Sequence, residues 1–282
     1  MNIENRSLNR PSYEKLKKKS LILDDEISLR LFDTNHSTIG DSSGLQKGLE
    51  LYFWDRSLCG EGIGFGSVAI EYPNDVIFSS TANISIKNNA LVKNFEIDTV
   101  LRKNWKGKFY VDNRFYGTLQ PKLTKIYRKN KKARPLLNAL IRIQSLIGVR
   151  LSHQKIGSKG QIKIIYSLMG DQIRIDVDST GLIDKKIQRI LIFNEQSSDF
   201  NICEEEGKTL TNDEIGVWQE VKSKKACLSN ITAKVKFCLE EIPGTVLFRG
   251  RESLRPRLNW SGFCYSIPKR IEYFTYNIHL KR

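Results

Sequence analysis

The chain has 282 residues, enough to bury a substantial core as one large domain or two of about 140 residues each, without disulfide staples. Its five cysteines (Cys59, Cys203, Cys227, Cys238, Cys264) are odd in number and contain no CxxC pair. That argues against a disulfide framework and a zinc module, and for a reducing, cytoplasmic setting. The net charge of +15 is unevenly placed: residues 1–20 carry +4, 21–101 carry −7, 102–134 carry +11 and 135–282 carry +7. The polar N-terminus lacks the apolar core of a signal peptide and no eighteen apolar residues run together, so neither secretion nor a membrane span is expected, and any membrane contact is peripheral.

In chain order, residues 1–20 read as a basic arm and 21–134 as an N-terminal β domain. Strands are predicted at 49–54, 63–72, 76–86, 90–101, 107–112 and 115–127. In "LCGEGIGFGSVA" the glycines Gly60, Gly62, Gly64 and Gly66 fall at alternate positions. A dinucleotide-binding turn would have to open a helix, whereas "SVAIEYPNDVIFSS" is strand-like and contains Pro73. The glycines therefore bare a strand face for close approach by a neighbouring strand, a ring or a ligand. No nucleotide or other cofactor is expected.

In "FYVDNRFYG", Asp112 stands between two aromatic strands as a candidate acid or base, although the same residues make a good turn. The block 102–134 interleaves basic residues with Trp105, Tyr110, Phe115 and Tyr116. A linking helix is predicted at 135–148, with Pro135 in its first turn and Gly148 at its end. Its apolar residues cover most of the circumference and leave a stripe of Asn138, Arg142 and Ser145, of which Arg142 is a candidate ligand contact.

Residues 149–282 read as a C-terminal β domain. "QIKIIYSLMGDQIRIDVDSTG" alternates apolar and polar residues around a reversal at Met169-Gly170-Asp171, a β-hairpin. Its Asp176-x-Asp178-x-Thr180 resembles a haloacid-dehalogenase phosphatase loop and the opening of a calcium loop; two outward carboxylates ending a strand explain it as well. Further strands are predicted at 188–194, 215–222, 229–240, 245–249, 261–267 and 271–281. Glu220-x-Lys222 has the spacing of a nuclease metal site but lacks the flanking helix. No metal site is expected.

Two segments bring polar groups to buried strands. "RILIFNEQSS" runs apolar residues into Asn194-Glu195-Gln196, which makes Glu195 a candidate acid or base and Asn194 a candidate ligand contact. "LFRGRESLRPRLNWSGFCYSIP" gathers Arg249, Arg251, Arg255, Trp260 and Tyr265, groups that recognise carboxylates, phosphates and rings. Charge beside a buried strand is costly unless paired or used, so the two segments are expected to share one pocket, with Arg251 or Arg255 holding a polar end of a ligand.

The fold expected is mainly antiparallel β, in two barrel-like or sandwich-like halves joined by the helix. In that outline the chain looks like the two-domain lipocalin-like proteins that act on isoprenoids and polyketides, which implies a small, largely apolar ligand. The expected function is therefore a cofactor-independent enzyme or carrier for such a molecule, its chemistry acid–base: isomerisation, hydration or cyclisation. The alternative is a nucleic-acid-binding protein that uses the 102–134 block, and weak association with polyanions or anionic membrane surfaces is expected from charge alone.

Overall fold

The computed structural model describes residues 18–22, 25–32, 45–73, 75–105, 109–110, 149–254 and 258–282. Within them the chain is mainly β and every strand pairing is antiparallel; the helical element is a single 3₁₀ turn, Asn212–Ile215. The predicted helix 135–148, Asp112, Arg142, Arg255 and most of the basic block lie outside the described residues. Among the described residues, no helix is long and apolar enough to cross a membrane.

A small sheet runs β1 (Lys18–Ile22), β2 (Ile27–Phe32), β3 (Glu50–Phe53), β4 (Arg56–Ser57). The large sheet starts from β5 (Gly64–Glu71), β6 (Val76–Lys87) and β7 (Ala90–Trp105), with the short β8 (Phe109–Tyr110) and β9 (Val149–Lys155) also paired to β7. It continues through β10 (Gln161–Met169), β11 (Gln172–Asp178), β12 (Arg189–Gln196), β13 (Ile202–Glu205), β14 (Lys208–Thr211) and β15 (Gln219–Glu220). The last strands are β16 (Lys225–Asn230), β17 (Val235–Glu240), β18 (Val246–Leu254), β19 (Leu258–Pro268) and β20 (Tyr273–Lys281). In space the order is β14-β13-β16-β17-β20-β11-β10-β7-β6-β5-β12-β19-β18-β15. Strands from either side of residues 111–148 thus hydrogen-bond directly: β7 with β10, and β5 with β12.

This sheet doubles back on itself. The Phe237 ring, on β17, lies 5.1 Å from Phe65 on β5, 5.1 Å from Phe200 and 5.7 Å from Phe263 on β19, so the inner faces meet as a sandwich. These four rings pack against one another in the interior. Where the two ends approach, Arg249 on β18 meets Glu205 on β13 at 2.6 Å, but among the described residues no backbone ladder joins the ends. The barrel-like closure considered from sequence is therefore not found: side chains, not strand pairing, bridge the gap.

The glycine run of β5 serves close packing. Gly66 has φ +72° at the point where β5 slips register against Phe193 and Asn194, and its N–H donates to Asn194 Oδ1 at 3.1 Å. A Cβ on Gly62 would lie 2.7 Å from the Gln196 carbonyl oxygen.

One sequence expectation is corrected here. Cys227 and Cys238 face each other across β16 and β17 and form a disulfide, while Cys59, Cys203 and Cys264 are buried outside it. The predicted strand 229–240 is broken by a turn after Asn230, which brings the two residues onto neighbouring strands.

Candidate functional site

Strand β12 is central, flanked by β5 and β19, so its side chains alternate between two covered faces. Ile190, Ile192, Asn194 and Gln196 point to the sandwich interior, with Leu191, Phe193 and Glu195 on the outer face. The parity of β18 and β19 follows from their register: Arg249, Arg251 and Ser253 share the inner side with Phe263, Ser261 and Asn259. The outer side receives Phe248, Gly250 and Glu252 opposite Cys264, Gly262 and Trp260.

The expected single pocket is thus divided by the sheet. The sheet brings Glu195 on β12 and Arg251 on β18 to either side of β19, but onto opposite faces. Period-two alternation puts an odd-numbered residue of β12 outside and its even-numbered neighbours inside, while β18 is offset by its own pairing with β19.

On the inner face, a cavity of about 380 Å³ opens at the end of β12. It is lined by Ser198, Asp199 and Asn201 from the chain leaving that strand, by Arg251 and Ser253 from β18, and by Ile231 and Thr232 from the β16–β17 turn. Arg251 is held in place by its Nε, which donates to the Ser198 carbonyl oxygen at 3.0 Å, and by its backbone N–H, which donates to Gly216 at 2.8 Å. Burial draws its pKa below the usual arginine value, against the pull of Asp213 and Asp199. Ser198 Oγ contacts Asn259 Oδ1 and Ser253 Oγ, fixing the wall beside the guanidinium. The cavity carries donors, acceptors and one exposed apolar side chain, Ile231, and its single arginine is balanced by a single aspartate.

On the outer face, Glu195 is 6% exposed and accepts a hydrogen bond from the Ile63 N–H at 3.2 Å. Burial raises its pKa to about 8, helped by the charge of Glu252 and opposed by the Ile63 bond and Lys47. Register places it in a row of glycines: Gly64 on one side, Gly262 on the other and Gly250 beyond. The Trp260 ring covers Gly250, its Nε1 donates to Glu252 at 3.2 Å, and Trp218 stacks on it at 4.7 Å. Trp218 adopts φ +50°, a costly conformation for a bulky residue, to reach that stack and the Phe193 ring 5.5 Å away.

The remaining candidates among the described residues make contacts within the fold. Asn194 Oδ1 accepts from Gly66 N–H and from the Tyr276 hydroxyl at 2.8 Å. Tyr265 is fully buried, and its hydroxyl donates to the Glu240 carbonyl oxygen at 2.6 Å. Arg249 is taken up by Glu205 and the Glu220 carbonyl oxygen. Asp176 and Asp178 engage Arg174 and Lys163 at the hairpin surface, and Glu220 on β15 pairs with Lys222. Sequence reading missed Ser198, Asp199, Asn201 and the Ile231–Thr232 turn; the run "QSSDFN" after β12 carried the signal, as a cluster of small polar residues at a buried strand end.

No family model matches the sequence, and no curated protein matches it at a significant level. Among solved structures, "Crystal Structure Analysis of HI1317" is similar at 8% identity, covering 94% of this chain and 100% of that one with a TM-score of 0.32, a likeness too loose to carry an argument.

Proposed function

We propose that this chain binds a small, neutral, hydroxyl-bearing molecule in the cavity beside Arg251. The observation that carries the reading is the arrangement of the cavity: an arginine fixed through Nε, leaving its two terminal nitrogens, opposite an aspartate, an asparagine and three hydroxyl side chains. A ligand hydroxyl both donates and accepts, so it matches a wall that mixes donor-only arginine with acceptor-only aspartate and bifunctional amide and hydroxyl groups. The balance of one arginine against Asp199, with Asp213 acting on the same guanidinium, disfavours an anion.

The interior rings at Phe65, Phe200, Phe237 and Phe263 pack against one another, whereas the walls of the cavity beside Arg251 are polar. The ligand class expected from sequence is therefore moved from apolar to polar, and the site from the interior to its mouth. The acid–base role expected of Glu195 is not carried into this site, since its carboxyl lies behind the sheet.

Isothermal titration of the full chain with glycerol, myo-inositol and glucose tests the reading. Binding of at least one probe is expected, with Arg251→Ala and Asp199→Asn each weakening it tenfold or more. Absence of binding by the parent protein, or undiminished binding by both variants, refutes it.

A further inference from the structure

Four connections meet at the end of the large sheet where β12 begins, opposite the end that holds the cavity. Backbone bonds tie them together. The Ile183 N–H, between β11 and β12, donates to the Lys159 carbonyl oxygen between β9 and β10; the Gln188 N–H donates to Glu71 at the close of β5; and the Lys269 N–H, between β19 and β20, donates to Gln188. This frame presents apolar side chains to water. Leu182 and Ile187 are buried and anchor their loop, so Ile183 is turned outward at 75% exposure, with Ile156 at 37% on the neighbouring loop. A Cβ on Gly157, next to Ile156, would meet open space, so that loop projects from the molecule.

The same four connections carry Lys159, Lys185, Lys186, Lys269 and Arg270, none of which forms an ion pair among the described residues. Most acids of this end are already engaged. Asp75 pairs with Arg102 at 2.6 Å, Asp98 with Lys155 at 3.2 Å and Asp178 with Lys163 at 2.8 Å. Asp184 accepts from the Tyr72 hydroxyl and the Lys186 N–H, both at 2.9 Å, and Glu71 stands 4.0 Å from Arg189, which leaves Glu272 as the exposed acid. Solvated lysines alone make an ordinary surface. Isoleucines held out from the core among unpaired cations match the headgroup region of an anionic bilayer, where the cations meet phosphate and carboxylate and the branched side chains leave water.

We propose that this end of the sheet is an interaction surface that docks peripherally on anionic lipid, with Ile183 and Ile156 entering the interface and the five cations against the headgroups. A nucleic acid would satisfy the cations, but its phosphate backbone offers the isoleucines nothing. β12 spans eight residues, about 26 Å, so docking leaves the cavity beside Arg251 on the aqueous side.

Co-sedimentation of the full chain with phosphatidylcholine vesicles and with mixed phosphatidylcholine–phosphatidylserine vesicles tests this. The parent should bind the mixed vesicles, more weakly at high salt, and leave the neutral ones alone. Ile183→Ser should lower the affinity about tenfold, and Lys185→Gln with Lys186→Gln about tenfold to thirtyfold. Both should melt like the parent, because all three side chains are exposed; Lys269→Gln with Arg270→Gln repeats the charge test on a separate loop. If Ile183→Ser binds like the parent while the lysine variant does not, the surface takes any polyanion, a nucleic-acid duplex should compete for it, and the membrane assignment is overturned. If every variant binds like the parent, the association comes from the 102–134 block, which overturns it equally. A parent that shows no salt-dependent binding to mixed vesicles overturns it too, whatever the titrations at the cavity show.

Discussion

The α-carbon of Gly262 faces Glu195 directly across β12 and β19, and a methyl group placed on it would lie 2.9 Å from Glu195 Cγ and 2.4 Å from the Asn194 carbonyl oxygen. The backbone contact cannot be relieved by a side-chain rotation. Gly262→Ala should therefore force the two strands apart and cost about 2 kcal/mol or more of stability, as overpacking of a tight interior does. Urea denaturation measures it. A loss below about 0.5 kcal/mol would show that the strands have room that the register denies.

Glu195 should make stability fall with rising pH. Its pKa is raised to about 8 in the fold by burial, above the 4.5 of an ordinary glutamate. Between those values the native state holds a proton that the unfolded chain has released. The contribution is fully present below pH 4.5 and is lost as pH rises through about 8, with an upper bound of roughly 4–5 kcal/mol for such a shift. Glu195→Gln keeps the shape and removes the titration, so it should be more stable than the parent at pH 9 and similar at pH 5. Urea midpoints at the two pH values check this; equal midpoints for parent and variant at pH 9 would mean that the carboxylate is accommodated without cost.

Local pairing was legible in the sequence and long-range pairing was not. The hairpin of β10 and β11 appears where the alternation and the Met169-Gly170-Asp171 reversal put it, with Gly170 at φ +64°. The turn between β16 and β17 was missed because it has no glycine or proline: Asn230 Oδ1 accepts from the Ala233 N–H, Lys234 takes φ +51°, and Ile231 is exposed despite being apolar. Reading 229–240 as one strand also hid the cysteine pair. As for the site, Arg251 and the end of β12 were found by their chemistry. Which face each residue took depended on how β12, β19 and β18 register against one another, and no alternation within a single strand records that.

The pair formed by Arg249 and Glu205 links β18 and β13, which no backbone ladder joins among the described residues, with side chains 13% and 7% exposed. Nη1 lies 2.6 Å from Oε1, yet among the described residues no aligned N–H reaches Oε1, so the two meet chiefly as charges. Removing one partner strands a largely buried charge, and Glu205→Gln should cost about 3 kcal/mol. Replacing both, as Glu205→Leu with Arg249→Met, should restore most of that loss. A double variant as unstable as the single one would show that the ion pair itself holds the sandwich edges together.

The disulfide between Cys227 and Cys238 closes a loop with a sequence separation of 11 across the hairpin whose turn supplies Ile231 and Thr232 to the cavity wall. A bridge over so short a loop restrains the unfolded chain modestly, by about 2–3 kcal/mol. Two consequences follow from its position. Reduction by a dithiol, which takes up the bond's sulfurs as two thiols and is itself oxidised to a disulfide, should lower the melting temperature by several degrees. The variant Cys227→Ser with Cys238→Ser should melt at that lower temperature and be insensitive to the dithiol, because the remaining cysteines, Cys59, Cys203 and Cys264, are buried and lie outside this disulfide. Loosening of the hairpin should also weaken binding of any probe that touches Thr232, without altering the Arg251 dependence. Thermal melts of parent and variant with and without dithiol separate the cases. A parent protein whose melt is unchanged by the reductant, and whose free thiols number five by titration, carries these cysteines reduced, and the cross-strand pair then contributes packing alone.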